Sequence, residues 1–446
     1  MGCGIAVVSF LSSVVQNLER TSELYCLHLE PIFKSFRRQG RNIGNAYVFA
    51  LDTVSCLLEL LPAENFRPHL RELQKTLDWI ESHQQVEIIP DYCDTESGQC
   101  YGKALRGWTS SHLGQSTGPL AWSTAQTVSC ISLLRKTIRQ LMHNDVLKEF
   151  NGIPHSEKGP DPQAWERLLD SDLGTPGSSC QTIKCVLEQR VCTPFAKSVS
   201  APSVGAAYSA ILFGSPGTAK TTISEAVAEK MGWDFVVIDT AAFLADGLTN
   251  VASRIRYVFT RLQALRECVI LFDEIEEFYL DREAPGLSME SRMLTTAMLT
   301  AINDLRRTKQ SVFFLATNRL RAFDAAIIRP GRFDIQLFVG TPNLEARVIL
   351  FEQALSTIVL SEEEKKKATM TFKEFLNSVW SEDGDAMFMN YLEGKQFATS
   401  AANILTRGRA LEISELDLIL KQQAAVMTCR GPVRDEYKAQ MDLSRL

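Results

Sequence analysis

From Gly214 to Thr222 the chain reads GSPGTAKTT, which sets two glycines, a lysine and three threonines at the spacing that handles phosphate. Backbone N–H groups curled round an anion at the positive start of a helix, with a lysine reaching the outer oxygens, hold a polyphosphate. In that reading Gly214 and Gly217 make the tight turn. Ser215, Pro216, Thr218, Ala219 and Thr222 complete the cradle, Lys220 contacts the β- and γ-phosphates, and Thr221 puts its hydroxyl on Mg²⁺. Ala219 stands where the usual pattern has a last glycine. At negative φ its methyl is harmless, whereas a left-handed backbone costs about 1–2 kcal/mol. Beside a helix start, helical φ is expected. A ligand-free strand-to-helix turn is the alternative, but it leaves the Lys-Thr pair unexplained.

Hydrolysis needs further groups. In CVILFDEIEEF an apolar strand ends in Asp273 and Glu274, adjacent carboxylates at the C-terminal edge of a sheet. Asp273 would hold the hydrated Mg²⁺, and Glu274 would orient or deprotonate the attacking water. The strand SVFFLATN ends in Asn318, a neutral group able to steady that water. FDAAIIRPGRFD follows, with Arg329 and Arg332 on a Pro-Gly turn. A planar guanidinium suits a transition state whose charge spreads over phosphoryl oxygens, although both arginines also read as surface ion-pair partners.

These groups need a scaffold. AAYSAILF, DFVVID, CVILFDE, SVFFLATN and IQLFVG are short apolar runs alternating with the helical stretches TTISEAVAEKMG, NVASRIRYVFTRLQALR and MLTTAMLTAINDLRR. Strands buried on both faces and joined by helices predict a mostly parallel α/β sheet. Before it, NAYVFALDTVSCLLELL and AWSTAQTVSCISLLRKTIRQLMHNDVLKEF have helical periodicity; the TVSC they share reads as coincidence rather than a repeat. PDYCDTESGQCYGKALRGWTSSHLGQSTG reads as a long loop, where Cys93, Cys100, Asp91 and Asp94 match no established metal spacing. Gly- and Pro-rich segments between Gly152 and Cys180 read as a linker.

Composition narrows the class. At 446 residues, 45% hydrophobic and 22% charged, the chain reads as two or three globular domains. A net charge of -6 and the lack of any long Lys/Arg block give no reason to expect nucleic acid. The 11 cysteines form no CxxC pair, which fits a reducing, intracellular and cytoplasmic setting. All six histidines lie at or before His155, so no HExxH zinc-protease motif follows. The apolar N-terminus, MGCGIAVVSFLSSVVQ, is too short to span a bilayer and reads as a buried helix. Gly2 and Cys3 invite acylation, but Ala6 departs from the myristoylation pattern.

Taken together and in this order, GSPGTAKTT, ILFDEIEEF, LATN and AAIIRPGRFD resemble the AAA family of ATPases, over roughly Ile183–Met427. Within the family the chain is similar to members carrying an FL…GL stretch, here Phe243, Leu244, Gly247 and Leu248. The resemblance implies an α/β P-loop NTPase core with a parallel sheet (183–341), then a small helical lid and tail (342–446). An all-helical N-terminal domain (1–151) and a linker (152–182) precede the core. It also implies ATP and Mg²⁺ as cofactors and self-association into a ring, usually a hexamer, with Arg329 and Arg332 acting on the neighbour's site. ISELDLILKQQAAV resembles the family's lid helix, with Ser414 and Asp417 matching and Glu415 and Leu416 replacing a small Gly-Ala pair. In AAFLADGLTN, Phe243 is either a pore residue that grips polypeptide or a core residue. The preferred function is a ring ATPase that remodels a protein client, unidentified, held by its N-terminal helices. A nucleotide-gated oligomerisation switch with little turnover is the alternative, and a membrane-surface adaptor anchored by the apolar N-terminus is a third reading.

Overall fold

The computed structural model of the chain describes residues 47–93, 96, 100–109, 118–173, 182–196, 205–247, 250–275, 278, 289–318, 332–381, 384–406 and 409–444. The N-terminal helix and the acylation candidates Gly2 and Cys3 lie outside them. Among the described residues no helix is long and apolar enough to cross a membrane. The chain divides into two units, Met1–Asp145 and Val146–Leu446.

The first unit contains helices α1 (Tyr47–Leu60) and α2 (Leu70–Ser82), strands β1 (Gln85–Cys93) and β2 (Cys100–Gly107), and most of helix α3 (Ala121–Glu149). Leu51, Val54 and Leu58 of α1 meet Leu73, Ile80, Cys130 and Leu134 round Phe66 and Trp108. Their spacing of three, four or seven residues along each helix is what lines them up on one face. Trp108 Nε1 donates to Ile80 O at 2.7 Å, so the buried indole keeps a partner. Helices dominate as expected, but the stretch expected as a long loop is corrected. Its flanks pair antiparallel, from Gln85 opposite Gly107 to Cys93 opposite Cys100. Val86 and Leu105 are exposed, at 58% and 45%, so neither marks a buried face. Pro90 falls where the register shifts, the place a strand tolerates proline.

In the second unit five strands, β3 (Ser209–Phe213), β4 (Asp234–Ile238), β5 (Cys268–Phe272), β6 (Val312–Thr317) and β7 (Ile335–Phe338), form one sheet in the order β4-β5-β6-β3-β7. Every pairing is parallel. Alternate side chains point to opposite faces, so each strand feeds two cores. Ile211, Ile270, Phe272 and Phe313 pack with Val258, Phe259 and Ile302, whereas Leu212, Val269, Leu271 and Phe314 pack with Ile223 and Val227. Burial on both faces explains why these strands read as continuous apolar runs.

Helices α5 (Lys220–Met231), α6 (Thr240–Leu244), α7 (Val251–Leu262) and α8 (Met289–Thr308) connect the strands, after a short helix α4 (Pro162–Arg167). Phe243 is fully buried, stacked on Phe259 and tilted against Phe278, so it is a core residue and not a gripping one. Within the stretch expected as a linker, Trp165 and Leu168 join the second core and Ile153 bridges Phe235.

Helices α9 (Leu344–Ser356), α10 (Glu362–Val379), α11 (Tyr391–Thr406) and α12 (Ile413–Ala424) follow, then α13 (Pro432–Ser444). Phe351 stacks on Phe372 at 4.1 Å, and Phe397 closes on both Phe372 and Phe375. Ser361 and Glu364 cap α10 reciprocally. Tyr437 of α13 is buried between Phe338 and Phe388 and accepts from Thr341 N at 2.9 Å, which fixes the last helix against β7.

Candidate nucleotide site

The site begins where β3 runs out. Parallel register sets Phe213 beside Thr317 and Phe272 beside Leu315, so the residues that follow β3, β5 and β6 emerge at one edge. The sheet order changes direction at β3, the position where open α/β sheets bind ligands.

Gly214 admits no side chain, because a Cβ there would stand 2.2 Å from Val339 O. Gly217 has φ 77°, a left-handed turn that glycine adopts without strain. Thr218 Oγ1 donates to Ser215 O at 2.9 Å and fastens the loop across its mouth. Ala219 overturns the expectation of helical φ. It lies at φ 66°, ψ 29°, caps α5, and supplies no side-chain hydrogen bond. The loop must reverse direction into the helix at this residue, and that closure, not the residue type, sets the angle.

Lys220 is buried, and its ammonium donates to Gly214 O, Ser215 O and Asn318 Oδ1, each at 2.9 Å. The cation is thus held inside the loop by neutral carbonyl oxygens, which a charged phosphate oxygen would outcompete. Thr221 Oγ1 donates to Asp273 Oδ2 at 3.0 Å. A hydroxyl and a carboxylate side by side are the hard oxygen donors that Mg²⁺ takes beside phosphates, so these residues fit the ion. Glu274 is exposed, has φ 53°, and its carbonyl accepts from Thr240 Oγ1. A non-glycine residue at positive φ next to this sheet edge is strain held by its surroundings.

Asn318 joins Lys220 to the last helix, since its backbone carbonyl accepts from Gln440 Nε2 at 2.8 Å. Gln440 is fully buried, and sequence reasoning missed it because nothing in α13 carries a motif. Arg332 is partly buried, with Nη1 enclosed and lacking a hydrogen-bond partner. Arg329 lies outside the described residues. Two residues beyond Arg332, Asp334 accepts from Tyr208 N at 2.9 Å and Ser209 Oγ at 3.0 Å and pairs with Arg306. Burial pushes its carboxyl up, but Arg306, Tyr208 N–H and the Ser209 hydroxyl together hold it below its usual value.

Beside the loop lies a cavity of about 180 Å³, lined by Leu168, Thr218, Ala219, Ile223, Pro342 and Tyr391. Leu168 comes from the stretch read as a linker, and no phosphate-binding signal could have revealed it. Leu416 of α12 is fully buried in the helical core.

A phosphate loop at a sheet's turning point, with paired hydroxyl and carboxylate beside it, defines a P-loop nucleotide-binding fold. The narrower assignment comes from comparison: residues 210–341 match the family described as "ATPase family associated with various cellular activities (AAA)", so the chain carries an AAA domain. It is 38% identical over 139 residues to the ATP-dependent zinc metalloprotease FtsH 1 of Alkaliphilus metalliredigens, which covers 31% of this chain and 24% of that protein. It is 32% identical over 142 residues to a cell division cycle protein 48 homolog of Archaeoglobus fulgidus, covering 32% and 19%. The match thus spans about a quarter or less of these relatives' length. Among solved structures the FIGL-1 AAA domain is 21% identical with a TM-score of 0.40, covering 65% of this chain and 95% of that one.

Proposed function

We propose that this protein hydrolyses ATP with Mg²⁺, assembles into a ring, and uses turnover to remodel a protein client. The observation that carries the reading is the pair of contacts at one edge, Lys220 with Asn318 and Thr221 with Asp273. Thr221 and Asp273 would hold the ion, which when bound would neutralise charge on the phosphates. The ammonium of Lys220 turns from its carbonyl partners to the β- and γ-phosphate oxygens, and the apolar cavity beside Ala219 takes the base. Asn318 orients the attacking water and the Glu274 carboxylate receives its proton, the bond forming to the γ-phosphorus as that to the bridging oxygen breaks. Relatives bearing the names ATP-dependent metalloprotease and cell division cycle protein support an energy-using role.

Arg332 and Arg329, which flank Pro330 and Gly331 in the sequence, serve the adjoining protomer's nucleotide, where a planar guanidinium suits charge spread over phosphoryl oxygens. If so, specific activity rises with protein concentration. Chains carrying Arg332→Ala then depress hydrolysis when mixed with wild type by more than dilution accounts for. Activity independent of concentration and of mixing would show that each chain works alone. The switch reading retains one observation in its favour, the strained Ala219 in place of glycine.

A further inference from the structure

We propose that His155, Glu225 and Glu229 form a binding site for one divalent cation of the zinc class, separate from the nucleotide's magnesium. Glu225 and Glu229 stand four residues apart on α5 and so share a face. His155 Nε2 lies 3.9 Å from Glu225 Oε1, and the donor atoms of all three residues fall within 4.8 Å of one another. His155 is only 6% exposed, yet its Nε2 has no hydrogen-bond partner. A buried ring nitrogen aimed at two carboxylates without bonding either is a ligand set awaiting a centre.

The surroundings hold the imidazole in place. Ile153 pairs with Phe235 through bonds of 2.7 and 3.0 Å, Ser156 N donates to Asp234 Oδ1, and Asp161 N donates to Glu229 O. The backbone on both sides of His155 is therefore fixed on β4 and α5. Both glutamates are partly exposed, which gives the ion an entry path and leaves their side chains free to close to ligation distances of about 2.0–2.2 Å. One imidazole and two carboxylates with room for water suit zinc or a neighbouring transition ion, whereas magnesium prefers oxygen donors alone. Bound there, the cation would clasp the segment preceding the sheet to the helix that starts with Lys220 and Thr221.

The test uses the full chain, nucleotide-free and stripped with chelator. Zn²⁺ is titrated against a competing chromophoric indicator, and the melting midpoint is followed in parallel. The wild type is expected to bind one equivalent at this site and to melt higher with Zn²⁺, with no replacement by millimolar Mg²⁺. Glu225→Gln, Glu229→Gln and His155→Gln should each weaken binding at least about tenfold and lose the melting shift. Asp273→Asn should leave both unchanged. Because His155 is buried, the two glutamate variants decide the outcome if the histidine variant misfolds. Zn²⁺ binding unaltered in Glu225→Gln and Glu229→Gln, with thiolate charge-transfer bands when Co²⁺ is substituted, would assign the metal to cysteines and overturn the proposal. So would the absence of Zn²⁺ binding by wild type.

Discussion

Ala219 is where side chain and backbone disagree. Its left-handed φ of 66° costs an alanine about 1–2 kcal/mol that a glycine would not incur. Glycine in turn loses more chain entropy on folding, about 0.5–1 kcal/mol relative to alanine. Ala219→Gly should therefore stabilise the chain by about 0.5–1 kcal/mol, read as a higher unfolding midpoint, with nucleotide binding retained. A lower midpoint would contradict the left-handed assignment. Lys220, Thr221, Asp273 and Asn318 were legible from residue type alone, because charge and donor type do not depend on the path the backbone takes. The angle at Ala219 was not legible, since ring closure of the loop determines it. Gln440 was equally hidden, being a common residue whose role exists only through its contact with Asn318.

At the scale of elements, the five sheet strands announced themselves by being apolar on both faces, and their ends located the site. β1 and β2 escaped because Gly, Ser, Thr and Pro dominate the stretch round them, and Val86 and Leu105 are exposed. Gly and Pro between residues 152 and 182 suggested a linker, but Trp165 and Leu168 pack all the same. Asp334 shows how such elements are joined, since it ties the approach to β7 to the start of β3 and to Arg306 of α8. Its carboxyl is held below its usual value in the fold, so its contribution to stability is present above the ordinary carboxylate range and disappears as pH falls through the folded value. Asp334→Asn should cost about 1 kcal/mol at neutral pH, discounted because the site is partly exposed. The deficit in denaturant unfolding should shrink as pH drops below about 4. A deficit that stays constant with pH would assign the loss to shape instead of charge.

For the whole molecule, the nucleotide-binding core was legible and the first unit was left without a function, because its helical cluster and hairpin present no reactive constellation among the described residues. Residues 210–341 carry the family match. The central claim is that the edge bearing Lys220, Thr221, Asp273, Glu274 and Asn318 is catalytic. Its most direct test is ATP binding and Mg²⁺-dependent hydrolysis measured together for wild type, Lys220→Ala and Glu274→Gln. The account predicts that wild type turns over. Glu274→Gln should bind ATP as well as wild type but hydrolyse it slower by about 10²-fold or more, and Lys220→Ala should fail to bind. Wild type that binds ATP yet turns over no faster than Glu274→Gln would contradict it and leave a nucleotide-gated switch in its place.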